Sequence, residues 1–339
     1  MDASVGSVNN VNNVGNAVVG VGVDVSKDAL DGAVRNGVSF RHDNSTTGIA
    51  QIVKRLQDLQ ASVSAPLLVV VEATGGLEVP VVRGLQKAGI AVAVANPQRV
   101  REFAKATGVL AKTDRLDAAV LAHFAEAVRP EPRPLPDEQT QALDALASRR
   151  NQLVDMRTME TNRLASCVNG RVRANLKKHL EWLDRHIDDA DRELGEAVRN
   201  NPEWQARDAL QQSVPGVGPI VSRTFLASLP ELGRVSGKKL AALVGLAPYA
   251  HDSGRQTGKR RIWGGRGEVR AKLYMAALTV SRGTTPFAAF FRRLCAQGKP
   301  SKVALIALAR KLLTVVNAVV RSGMPYDVAA AKTGIAMIS

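Results

Sequence analysis

Aromatic residues make up only 4% of this 339-residue chain, so extensive base stacking on Phe, Tyr or Trp is not its evident mode of binding. There are two cysteines, Cys167 and Cys295. They lie far apart and match no metal-ligand spacing, which argues against a disulfide framework or a zinc cluster and for reduced thiols. Long hydrophobic runs are also missing. The first one, from Val18, is broken by Asp24, and no stretch reads as a bilayer span. The start, with its Asn-Val repeats through Asn16, lacks the basic region and apolar core of a signal peptide. The expectation is a soluble cytoplasmic protein, associated with the nucleoid and not with a membrane.

Acid is absent where it would normally balance base. Residues 1–125 carry 12 Lys/Arg against 11 Asp/Glu, and residues 126–210 carry 14 against 16. Residues 211–339 carry 20 against 4, so this segment alone accounts for the net charge of +15. Solvated surfaces ordinarily mix both signs, and a one-signed segment of this length points to a polyanionic partner, nucleic acid.

What is present is 45% hydrophobic content, enough for two or three domains with cores. Residues 1–16 read as a disordered leader. A strand through Val25, a hairpin turn at Asn36-Gly37 and a helix capped within Asn44-Ser45-Thr46-Thr47 follow. Then come a strand ending at Glu72, a helix from about Leu77 to Ala88, a strand over Ala91 to Ala95, a helix opened by Pro97 and another capped by Thr113. This order predicts a mixed α/β sheet over 17–130 with a ribonuclease-H-like arrangement.

A Pro-rich break at Glu131 to Pro136 separates it from a helical segment, 137–204. There Leu176, Leu180, Leu183, Ile187, Ala190, Leu194 and Ala197 step by four and three, the seam of a coiled coil. A weaker stripe, Leu143, Leu146, Leu153 and Met156, precedes the Asn169-Gly170 break. A helical hairpin, a dimerising coil or an amphipathic helix packed on its own domain would each bury such seams. A mainly helical basic domain fills 211–325, before a tail at 326–339. It opens on Val214-Pro215-Gly216-Val217-Gly218-Pro219, a turn similar to a helix-hairpin-helix. The backbone amides around Gly216 and Gly218 suit a DNA phosphate, or the turn is simply a tight helix connection.

Four carboxylates carry the chemistry. Asp24 interrupts one apolar run, Glu72 ends another, and Asp114 and Asp117 share a helix face. Gathered together, such charges raise one another's pKa unless a cation holds them, and hard divalent ions such as Mg²⁺ or Mn²⁺ take oxygen ligands of this kind. Taken singly, Asp24 also fits a strand edge, and Asp114 and Asp117 fit helix caps. Farther on, residues 254–267 hold five Gly and five Lys/Arg, a loop suited to close approach of a phosphate backbone through Arg255, Lys259, Arg260, Arg261 and Arg266. Ser253 sits where a small nucleophile could reach a phosphorus, although Asp252-Ser253-Gly254 taken alone reads first as a turn. His251 could accept a proton, but a lone loop histidine is usually solvated and it is given no role.

Together these motifs resemble a known family. Gly22-Val23-Asp24-Val25-Ser26-Lys27, Glu72-Ala73-Thr74-Gly75-Gly76 and Lys112-Thr113-Asp114-Arg115-Leu116-Asp117-Ala118 look like the DEDD signature of IS110-family insertion-sequence transposases, relatives of the Piv/MooV DNA invertases. The turn at Pro215 to Pro219 and the block from Gly245-Leu246-Ala247-Pro248 through Ser253-Gly254 to Lys259-Arg260-Arg261 resemble that family's second domain. The resemblance implies a RuvC-like domain, a coiled-coil dimerisation segment and a transposase domain. It makes Asp24, Glu72, Asp114 and Asp117 a catalytic metal site and Ser253 a nucleophile forming a phosphoserine intermediate. It also implies double-stranded donor and target DNA as partners, a bridge RNA as guide, and a homodimer assembling to a tetramer. Rival readings are a metal-only nuclease or Holliday-junction resolvase, an actin-like ATPase or sugar kinase, and a non-enzymatic DNA-binding protein.

Overall fold

Alternation of side chains along the first strand decides the layering of the N-terminal unit, residues 1–135. The computed structural model describes residues 18–109, 114–249, 258 and 260–326, the side chains of 114–116 excepted. Strand β1 (Val19–Val25) pairs antiparallel with β2 (Ala29–Val34), which pairs antiparallel with β3 (Ser39–Asp43) across the Asn36 turn, where φ is 56°. On its other edge β1 runs parallel to β4 (Leu67–Glu72), and β4 parallel to β5 (Ala91–Ala95), giving the order β3-β2-β1-β4-β5. This is the mixed sheet expected.

Val21, Val23 and Val25 face one side, packing with Ile52 and Leu56 of α1 (Thr46–Ser62) and Val81, Val82 and Leu85 of α2 (Val79–Lys87). Ser45 caps α1, its hydroxyl accepting from the Gly48 amide. Leu68, Val70 and Ala93 face the other side, against Val100 of α3 (Pro97–Ala106) and Val120, Leu121 and Phe124 of α4 (Asp114–Val128).

On that second face β1 presents Gly20 and Gly22, and α4 lies directly on them. A Cβ at Gly22 would fall 2.1 Å from the Ala118 carbonyl oxygen, and one at Gly20 would fall 2.3 Å from that of Ala122. Two residues along the strand thus correspond to four along the helix, in opposite directions.

The second unit, residues 136–339, holds the helical segment and the basic helices together. α5 (Glu138–Ser166) and α6 (Gly170–Arg199) form a hairpin across the Asn169 cap, and the heptad seam is used inside the chain. Leu183 and Ala190 pack with Leu153, while Leu194 and Val198 pack with Leu143, Ala147 and Leu226. Arg150 clamps Asp191 with two hydrogen bonds of 2.6 and 3.0 Å. α7 (Pro202–Gln212) and α8 (Pro219–Ser228) flank the predicted Gly-rich turn. They are followed by α9 (Gly237–Val244), the two-residue strands β6 (Pro248–Tyr249) and β7 (Arg261–Ile262), α10 (Gly267–Ser281), α11 (Pro286–Ala296) and α12 (Ser301–Ser322).

Although no membrane span was expected, α12 is long and apolar enough for one by length and composition. Its Leu308, Leu312, Leu313 and Val316 are instead the centre of this unit's core, and its buried Asn317 ties down the Gly233 amide and the Val235 carbonyl.

The glycine contact yields the first prediction. Gly22→Ala should destabilise the sheet unit by about 1–3 kcal/mol or more, because backbone atoms on both sides must part. Gly170→Ala, with nothing within 4 Å of the new methyl, should be neutral or slightly stabilising. Chemical denaturation of the two variants separates these outcomes.

Candidate active site

The register of the sheet brings two predicted acids together. Val23 pairs with Val71, and one step on, Asp24, the last residue but one of β1, and Glu72, the last of β4, lie side by side on the α4 face. Strands lie about 4.8 Å apart, so the two Cα atoms are separated by little more than one strand spacing. Both side chains are half-buried. Continuing the two-for-four step from Gly20 and Gly22 sets Asp24 opposite the first turn of α4, where Asp114 and Asp117 stand. Asp117 is half-buried; the side chain of Asp114 lies outside the described residues. Among the described residues no three His, Cys, Asp or Glu side chains form a metal-holding group.

Two supporting residues went unnoticed in the sequence. Asp31 pairs with Asp24 across the β1–β2 ladder, and Arg41 pairs with Asp31 across β2–β3, so a row Arg41, Asp31, Asp24, Glu72 crosses four strands on one face. Asp31 is 8% exposed, and Arg41 reaches its carboxylate at 3.2 Å. Like charges opposite each other in a ladder repel, and Arg41 offsets this for Asp31. The only clue in the sequence was the tight β1–β2 connection at Ser26 to Ala29, from which the register can be counted.

Glu78 is the second. Its Oε2 accepts from the Thr74 amide (3.1 Å), the Thr74 hydroxyl (3.0 Å) and the Gly76 amide (2.8 Å). Gly75 and Gly76 have φ of 75° and 109°, which explains the glycine pair. This buried carboxylate thus fixes the loop that leaves Glu72.

In the second unit, β6 and β7 pair Pro248 with Ile262 and Tyr249 with Arg261. Ser253, Arg255 and Lys259 fall between these strands in sequence and outside the described residues. Arg260 and Arg261 are exposed. Arg266, expected at phosphate, instead forks onto Glu231 at 2.5 and 2.8 Å. The sequence could not show this, because the partner lies 35 residues away. Gly216, with φ of 90°, packs near Val280 of α10, while Gly218 caps α8 in extended conformation. The Gly-rich turn is therefore also a packing joint.

Both units match known families. Residues 21–171 match the DEDD transposase domain of the IS110 type, and residues 208–292 match the family described as Transposase IS116/IS110/IS902. The chain belongs to this transposase family. It is 29% identical over 318 residues to the pilin gene-inverting proteins of Moraxella lacunata and Moraxella bovis, covering 91% of this chain and 97% of each relative. It is 33% identical over 149 residues to a 44.8 kDa protein of insertion element IS116 from Streptomyces clavuligerus, covering 43% of this chain and 36% of that one. The transposase is thus an enzyme of DNA recombination. Its acid row lies in the first matched segment, and its Gly-rich turn and serine loop lie in the second.

The loop contacts carry a prediction of their own. Glu78→Ala leaves three donors without their acceptor and should cost about 1–3 kcal/mol. Hydrogen exchange at the Thr74 and Gly76 amides should accelerate well beyond exchange elsewhere in the sheet.

Proposed function

We propose that this transposase cuts and rejoins the DNA of an insertion sequence through a phosphoserine intermediate. Asp24, Glu72, Asp114 and Asp117 form its acidic centre and Ser253 is its nucleophile. The observation that supports this best is the register that sets Asp24 beside Glu72 and opposite the first turn of α4, an arrangement consistent with a ribonuclease-H-like (RuvC-like) domain. An all-oxygen donor set on rigid elements fits Mg²⁺ or Mn²⁺. Such an ion, when bound, stabilises charge developing on the phosphoryl oxygens.

The chain's own residues do the rest. Ser253 Oγ attacks phosphorus, a new O–P bond forms, one ester oxygen departs, and the serine proton ends on that departing oxygen. A free hydroxyl of another strand then attacks the phosphoserine and releases the serine. Each step exchanges one phosphoester for another, so no nucleotide hydrolysis is needed. Arg255, Lys259, Arg260 and Arg261 hold the non-bridging oxygens, and the turn at Gly216 and Gly218 offers amides to a neighbouring phosphate. Arg266 braces the loop through Glu231 and is left out of this set.

A structured bridge RNA selects the donor and target duplexes, consistent with a large basic surface and few base-reading aromatics. Two duplexes must be held at once, which calls for a dimer that assembles to a tetramer. Because the heptad seam from Leu183 to Ala197 packs within the chain, the dimer contact falls to exposed apolar groups on the hairpin, Met159 (50% exposed) and Val172 (48%) near its tip and Trp182 (39%) farther along α6.

Ser253→Ala should bind DNA normally yet give no covalent adduct on denaturing gels. Asp24→Asn should slow strand cleavage on the order of 10³-fold or more with the fold intact. Full recombination by Ser253→Ala would favour the metal-only nuclease instead. For the assembly, Met159→Glu with Val172→Glu should yield monomers by light scattering, and an unchanged oligomer would place the contact elsewhere.

A further inference from the structure

The helical unit carries a groove of about 1020 Å³ that none of the residues assigned above lines. Its floor is apolar, with Ile262 of β7, Phe290 of α11 and Val303 and Ile306 of α12. Val303 is 53% exposed. Around that floor stand Lys238, Arg293, Arg310 and Lys311, and among the described residues no acidic side chain lines the groove. Among the described residues none of these four cations is ion-paired. The described acids beyond residue 211 are engaged elsewhere, Glu231 by Arg266 and Glu268 by Asn151. Burial, with Arg293 nearby, pulls the Lys311 ammonium below its ordinary range, a cost that an arriving anion relieves.

An apolar floor between unneutralised cations asks for a ligand that is greasy in the middle and anionic along its side. A duplex offers phosphates but hides its base faces, so it would leave the floor wet. An unpaired nucleic-acid strand offers both. The volume lies at the upper end of small-ligand sites, about 300–1,000 Å³, which suits several linked units better than one. Arg293 lies over the Phe290 ring at 5.4 Å, and this cation–aromatic pair is a platform on which a base can stack. Among the described residues no carboxylate or amide side chain lines the groove, and its two hydroxyls are engaged, Ser236 by the Lys239 amide and Thr314 by the Arg310 carbonyl, so no strong acceptor is set for a 2′-hydroxyl and DNA is favoured over RNA. Pro248 and Ile262 line the groove and are paired in β6–β7, the two strands that bracket residues 250–260.

We propose that this groove binds a short single-stranded DNA segment, its bases on Phe290, Val303 and Ile306 and its phosphates on Lys238, Arg293, Arg310 and Lys311. The assignment rests on the recombinase reading, and gives the strand melted beside the cut a place to lie.

The test uses the full chain and fluorescence anisotropy with an about 20-nucleotide single strand, its duplex, and an RNA of the same sequence. Val303→Asp, and separately Arg310→Ala with Lys311→Ala, should weaken single-strand binding about tenfold or more and change duplex binding less than about twofold. Circular dichroism checks the fold of each variant. A single strand carrying 5-iododeoxyuridine should photocrosslink to the 286–296 or 301–311 peptides.

Unchanged single-strand affinity in both variants, or crosslinks only elsewhere, would overturn the proposal. Equal loss for single strand and duplex would reduce the groove to a general phosphate contact, and tighter binding of the RNA would refute the choice of DNA. If Val303→Asp altered only the oligomeric state, the groove would belong to a second copy of the chain. Ser253→Ala and Asp24→Asn should bind the single strand like the parent. Recombination surviving in those two variants would therefore remove the catalytic reading while leaving the groove in place.

Discussion

The close contact between β1 and α4 is the constraint on which the proposed acidic centre depends. With no side chain at Gly20 or Gly22, the helix backbone rests on the strand backbone, and neither can shift along the other without a clash. The first residue on that face of β1 able to carry a side chain to the helix start is Asp24. The same two glycines that remove packing volume from the strand therefore fix the distance between its carboxylate and the first turn of α4. Glycine inside a strand usually weakens it. Here that weakness is offset by burial on the opposite face, where Val21, Val23 and Val25 are almost wholly covered. One strand is thus specialised by face, with valines for cohesion and glycines plus an acid for placement.

Much of this was legible from local signals. Apolar runs bounded by turn residues located β1, β4 and β5, side-chain caps at Ser45 and Asn96 agree with helices starting where expected, and the break read at Asn169-Gly170 is the point where α6 is capped. The chain divides into two compact units between Leu135 and Pro136. What local signals could not supply was the partner of an ambiguous surface. The seam from Leu176 to Ala197 has the same spacing whether it meets another chain or α5, and only tertiary contacts show that its part from Leu183 to Ala197 packs within the chain. Arg266 reads as a free cation beside Arg260 and Arg261, yet Glu231 holds it. Asp31 looks like one more polar residue in a hairpin until the ladder sets it next to Asp24.

The two units divide charge in a way that catalysis on a polyanion requires. A carboxylate cluster acting on DNA, as proposed, repels the phosphate it acts upon, so binding strength has to come from elsewhere. The sheet unit balances its acids with nearly equal base, and Arg41 neutralises Asp31 in the same row. The helical unit holds almost no acid beyond residue 211, and Glu231 and Glu268, the two described, serve internal contacts. Cations such as Lys238, Arg310 and Lys311 are thereby left for an external anion.

This division also bears on how the basic surface is built. Twenty cations against four acids would be destabilising if packed into one shell around a small core, because like charges repel across low-dielectric protein. The unit tolerates them because its core is aliphatic and continuous, with α12 buried through Leu305, Leu308, Leu312, Leu313 and Val316. The same helix turns Arg310 and Lys311 outward at the groove, and its exposed Val303 completes the apolar floor. A helix apolar enough to pass for a membrane span is therefore what anchors the most strongly cationic part of the chain. Its hydrophobicity is the condition for that charge, because burial of one face offsets the repulsion gathered on the other.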